Sequence, residues 1–85
     1  MRTLDYRVTV LTDDTAEANR IADQMVSDCP KRLTASGVNH EGAFIRFRAE
    51  SDESARAVAE ASTDRPFSLT TGYGTHQRKV FSSED

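Results

Sequence analysis

Apolar and polar residues alternate near the start of the chain. Leu4, Tyr6, Val8 and Val10 fall on one side of an extended segment over residues 4–12, and Asp5, Arg7 and Thr9 fall on the other. This is the period of a strand buried on one face. The period then lengthens. Ala18, Ile21, Ala22, Met25, Val26 and Cys29 recur at helical spacing and form one apolar stripe. Asp14 is placed to cap this helix, and Glu17 to reach back to the cap as in a capping box. Acids there also suit the positive end of the helix dipole. Pro30 stops the helix, because its ring pushes Cys29 out of the α region.

Residues 31–38 read as a second strand with Leu33 and Ala35 facing inward. Asn39-His40-Glu41-Gly42 is turn chemistry, with Gly42 free to take positive φ. Residues 43–49 form the strongest strand: Ile45 and Phe47 face the core, and Phe44, Arg46 and Arg48 face away. The second and third strands are expected to pair as an antiparallel hairpin. Ser51 or Asp52 caps a second helix, whose buried stripe is Ala55, Val58, Ala59 and Ser62. These side chains are small, so the helix can lie close to a sheet. Pro66 follows its end, and Phe67, Leu69 and Thr71 begin a further strand. Gly72-Tyr73-Gly74 interrupts that strand before residues 76–81 continue extended, which leaves open one long bulged strand or a short hairpin. The tail, residues 82–85, is expected to fray.

The order is β-α-β-β-α-β. Right-handed crossovers then set both helices on one face of a four-stranded antiparallel sheet, a two-layer α+β sandwich of ferredoxin-like type. The other sheet face stays open. The chain has 85 residues, the size of a single domain spanning 1–85, and it carries no repeat or linker.

Composition sharpens this picture. Hydrophobic residues are 36% of the chain and charged residues 29%, the balance of a folded protein with a light core. With no tryptophan and many alanines, stability is expected to be marginal, and a partner or self-association would add burial. No apolar run approaches the ~20 residues that span a bilayer. Residues 1–5 lack a signal-peptide core. A single cysteine, Cys29, leaves no internal disulfide and no cysteine-based zinc framework. The expectation is an intact cytoplasmic protein in a reducing compartment.

The net charge of −3 gives no general attraction to nucleic acid, yet it hides an asymmetry. Asp13, Asp14, Glu17, Asp23, Asp28, Asp52, Glu53, Glu60 and Asp64 lie on the helices and their caps, whereas Arg7, Lys31, Arg32, Arg46, Arg48, Arg78 and Lys79 lie on the strands or their starts. The molecule is expected to be polarised, with an acidic helical side and a basic open sheet. Such a surface attracts an acidic protein or a phosphate backbone. The plainer reading is that the arginines keep an exposed sheet soluble.

The segment 43–61 resembles the third strand and second helix of an RNA-recognition motif. That family's strand runs basic-Gly-aromatic-small-aromatic-aliphatic-any-aromatic. The matching octet is His40-Glu41-Gly42-Ala43-Phe44-Ile45-Arg46-Phe47, whose last five positions fit. Glu41 stands where the family has glycine, and Gly42 where it has a stacking aromatic. The resemblance implies the same split β-α-β fold and an outward Phe44 able to stack a base, with Arg46 beside it. The first strand, Val8-Thr9-Val10-Leu11-Thr12, has no second platform aromatic. Base stacking contributes ~1–3 kcal/mol per base, so one ring with a few arginines implies weak binding. The same segment is similar to the small dimerising subunit of the archaeal KEOPS tRNA-modification complex, whose long second helix has no counterpart here.

Other chemistry is sparse. Cys29, His40 and His76 have no metal-ligand spacing between them. Cys29 sits on the buried stripe and reads as a core thiol, and nothing marks it as activated. Asp13 and Asp14 are explained by capping. Gly72-Tyr73-Gly74-Thr75 is not a strand-to-helix phosphate loop. With His76, Arg78 and Lys79 it forms a candidate contact loop anchored by Tyr73.

The residues therefore point to a small non-enzymatic binding module without cofactor or metal. It would work through protein–protein contacts, as a homodimer, an accessory subunit or a phage-type effector. The candidate binding residues are Arg7, Thr9, Phe44, Arg46 and Arg48 on the sheet face, and Tyr73, His76, Arg78 and Lys79 on the loop and last strand. The alternative is a single-stranded RNA or DNA binder that uses the same open face.

Overall fold

A computed structural model describes residues 3–72 and 74–83. Strand β1 (Leu4–Leu11) lies at the centre of the sheet and carries the alternation read from the chain. Tyr6, Val8 and Val10 are buried on one face, and Arg7 is half-buried on the other. Helix α1 (Thr15–Asp28) starts at Asp14, whose carboxylate accepts from the backbone N–H groups of Ala16 at 2.9 Å and Glu17 at 3.2 Å. Such a cap is worth about 1 kcal/mol. The expected capping box does not close: the Asp14 N–H donates to Thr12 Oγ1 at 3.3 Å, and the Glu17 carboxylate accepts from Arg65 at 3.0 Å. Cys29 is the C-cap, extended ahead of Pro30 and only partly buried. It packs against the edge of the core rather than within it. Val26, expected on the buried stripe, is 43% exposed.

Strands β2 (Leu33–Asn39) and β3 (Gly42–Ala49) form the expected antiparallel hairpin. A register shift between Leu33 and Ala35 sends Ala35 to the exposed side, so Leu33 and Val38 are the residues of β2 that pack on the core. Helix α2 (Asp52–Ser62) is capped by Ser51, whose Oγ accepts from the Ser54 N–H at 3.1 Å. Its small stripe of Ala55, Val58, Ala59 and Ser62 is buried as read. The Ser62 hydroxyl donates to the Val58 carbonyl at 2.7 Å, so no polar group is buried unpaired there.

The expected four-stranded sheet is corrected to five strands, in the order β2-β3-β1-β4-β5 and antiparallel throughout. Residues 67–81 are not one bulged strand. They form a hairpin of β4 (Ser68–Thr71) and β5 (Arg78–Ser82), with a short 3₁₀ turn at Gly74–His76. The extra strand is held by tertiary contacts that no local pattern reveals. The Phe67 and Phe81 rings lie 5.5 Å apart, and the Arg56 guanidinium from α2 sits 3.9 Å above the Phe81 ring. The Phe67 N–H donates to Ser83 Oγ at 2.8 Å, and the Ser83 N–H to the Phe67 carbonyl at 3.0 Å. Residues 82 and 83, expected to fray, are therefore tied to the start of β4. Residues 84 and 85 lie outside the described residues.

Both helices pack on the face bearing Tyr6, Val8, Val10, Ile45, Phe47 and Leu69, the centre of the core. Among the described residues, the opposite face of the sheet carries no helix. Among the described residues, no helix is long and apolar enough to cross a membrane.

Candidate functional site

The alternation that buries Tyr6 and Val8 turns Arg7 and Thr9 to the open face. Register does the rest. Arg7 lies opposite Arg46 on β3 and Thr70 on β4; Thr9 lies opposite Phe44 and Ser68. Lys79 on β5 is the partner of Thr70. A shallow groove of about 510 Å³ runs over β1, β4 and β5, lined by Arg7, Thr9, Ser68, Thr70, Gln77 and Lys79, with Leu11, Ser82 and the carboxylate of Glu41 completing it. Most of its lining is hydroxyl, amide and cation, groups that solvate an anion, with the Glu41 carboxylate at one end as the opposing charge.

Two features of this face work against stability. The paired positions Arg7 and Arg46 place like charges directly opposite one another, an arrangement that weakens a ladder. In addition, the Arg7 Nε is buried without a hydrogen-bond partner among the described residues, while its guanidinium NH2 donates to Gln77 Oε1 at 3.3 Å. A buried donor left unpaired costs ~1–3 kcal/mol.

The structure divides the residues singled out in the sequence. Arg7, Thr9, Phe44, Arg46 and Lys79 share the open face. Phe44 is half-buried, and its ring lies over Gly37, 3.6 Å from where a Cβ would stand. Arg48 is at the margin: its side chain is 62% exposed and lies 3.6 Å from Asp5. Arg78 is not part of the face. It belongs to the helix side, where it grips Asp52 with two hydrogen bonds at 3.1 and 3.2 Å. His76 is exposed in the 3₁₀ turn. Tyr73 lies outside the described residues. Arg78 and Lys79 of the last strand therefore face opposite sides of the sheet. Ser68, Thr70 and Gln77 belong to the groove and were not singled out; the alternation from Ser68 carries their signal only once β4 is placed beside β1.

The Asp52 cluster couples sheet, helix and hairpin. Besides Arg78, the Tyr6 hydroxyl donates to Asp52 Oδ1 at 2.7 Å. The Arg78 bonds, then the Tyr6 bond, hold the Asp52 carboxyl below the usual carboxylate range. Burial and the bond to Asp52 push the Tyr6 phenol up to about 12. The signs follow. The Asp52 contribution to stability is present above the ordinary carboxylate pKa and lost as pH falls through the lowered one. The Tyr6 contribution is complete below the ordinary phenol value of 10.0 and disappears as pH rises toward about 12. In an absorbance titration of Tyr73→Phe protein, the remaining phenol should ionise well above 10.0. In Arg78→Ala, the Asp52 carboxyl, followed by carbon NMR, should move back toward the ordinary range. A phenol titrating normally would mean that the cluster does not hold in solution.

Among the described residues, no group of three or more His, Cys, Asp and Glu side chains is placed to hold a metal ion. Comparison with protein-family models, with curated protein sequences and with solved structures finds no match to this chain.

Proposed function

We propose that the protein is a non-catalytic, cytoplasmic binding module that engages an acidic segment of a partner protein across its open sheet face. The observation that supports this most is Arg7: half-buried at the centre of the sheet, lining the groove opposite a second arginine, with a buried nitrogen that lacks an acceptor among the described residues. A carboxylate brought into the groove would pair with the Arg7 guanidinium that lines it and offset the repulsion of the arginine pair. Charge-assisted bonds of this kind are the stronger hydrogen bonds of proteins. The acidic helices on the other side would repel such a partner and so orient its approach.

The test uses poly-glutamate as probe, with binding followed by fluorescence anisotropy. Arg7→Glu should weaken binding by about tenfold or more, while the amide spectrum away from the face stays unchanged. Equal affinity in the variant would remove the open face from the reading.

A second reading, single-stranded nucleic acid, has one observation in its favour. Phe44 stands outward on β3, adjacent to β1, with Arg46 two residues on along the same face. Thr9 occupies the opposite position on β1, where a second ring would stack. Phe44→Ala should then reduce binding to a mixed-sequence single-stranded RNA and leave poly-glutamate binding nearly unchanged.

A further inference from the structure

The sheet has two edges, and they differ. At one edge, β5 carries Arg78 and Lys79, and charged residues of this kind discourage a further strand. At the other, β2 reads Leu-Thr-Ala-Ser-Gly-Val-Asn, with no charge and no proline. Its middle, Thr34, Ala35 and Ser36, is exposed and carries only small side chains. The single protective device is the irregularity between Leu33 and Ala35, beyond which the pairing with β3 is regular to Asn39. A five-residue run of that kind is about 17 Å long and presents alternate N–H and C=O groups outward.

A hollow of about 350 Å³ adjoins the start of this edge, lined by Lys31, Arg32, Leu33, Thr34 and Arg48. Leu33 gives it an apolar patch, and three cations surround that patch. Lys31 and Arg32 are exposed and pair with no carboxylate among the described residues. Arg48 lies near Asp5 but keeps most of its side chain in solvent.

We propose that β2 accepts one more strand: an extended, acidic segment of a partner protein, antiparallel to β2. Its backbone pairs along Ala35–Asn39, and its C-terminal end places carboxylates on Lys31, Arg32 and Arg48 and an apolar side chain on Leu33. Main-chain bonds supply the affinity in strand addition, and the side-chain hollow supplies the choice of partner. The three cations select an acidic end over a neutral or basic one. This edge is separate from the open-face groove, so the two sites stand or fall independently.

The probe is a short peptide alternating threonine with valine and ending in aspartates, with a lysine-ended peptide as control. The aspartate peptide should shift the amides of Leu33–Asn39 and slow their hydrogen exchange, leaving those of Arg7, Thr70 and Lys79 in place. Reversing both exposed cations, Lys31→Glu with Arg32→Glu, should weaken it about tenfold. Binding without any effect on β2, or equal binding of the lysine peptide, would overturn the proposal. So would sedimentation showing that the protein pairs with itself through these amides, which would assign the edge to a second copy.

Discussion

Gly42→Ala should lower the free energy of unfolding by about 3–5 kcal/mol, a large part of what a domain this size possesses. Gly42 opens β3 with φ of +142°, a conformation that L side chains rarely adopt. Holding another residue there costs ~1–3 kcal/mol before any contact is counted. The contacts are worse. A Cβ at this position would stand 2.2 Å from the Val10 carbonyl oxygen and 2.8 Å from the Thr12 nitrogen. Both are backbone atoms at the end of the adjoining β1 segment and cannot rotate away. Relief requires β1 to separate from β3, where Leu11 pairs with Gly42 and the Thr12 N–H donates to the Glu41 carbonyl at 3.1 Å. Urea unfolding followed by circular dichroism measures the loss. A loss below about 1 kcal/mol would show that the strands do not approach so closely.

The second large effect separates the two faces of β3. Phe47 is completely buried, stacks on Tyr6 with ring centroids 6.2 Å apart, and lies between Tyr6 and Leu33 in the register. Phe47→Ala should cost about 3–5 kcal/mol, the transfer of the ring plus the cavity left behind. Phe44, three residues earlier and on the other face, lies over Gly37, stands opposite Thr9 in the register and keeps part of its ring in solvent. Phe44→Ala should cost about 1 kcal/mol, because burial energy scales with the apolar area removed from water. The same denaturant curves compare them. A greater loss for Phe44 would mean that the faces are reversed. The small cost also makes Phe44→Ala a usable variant in the binding experiments, since it leaves the protein folded.

How much of this was legible in the residues depends on whether the signal was local. The β1 alternation, the Asp14 and Ser51 caps and the Pro30 stop act over a few positions, and each appears where the pattern places it. Register irregularities do not. The shift between Leu33 and Ala35 exposes a residue that strict alternation turns inward. The fifth strand depends on Phe81 meeting Phe67 and Arg56, a contact between distant segments, so residues 67–81 alone left its form open. The open face divides in the same way. Arg7, Thr9, Phe44 and Arg46 follow from period two, whereas Arg78 leaves the set because Asp52 captures it from the helix side. Lys79, one residue on, points the other way and completes the groove.

The central claim is that an acidic partner occupies the open sheet face. Amide NMR of labelled protein, titrated with poly-glutamate at low and near-physiological salt, tests it most directly. The expected result is perturbation of Arg7, Thr9, Ser68, Thr70 and Lys79 that weakens as salt screens the charges. Perturbation confined to the helices, or none at either salt, would contradict it.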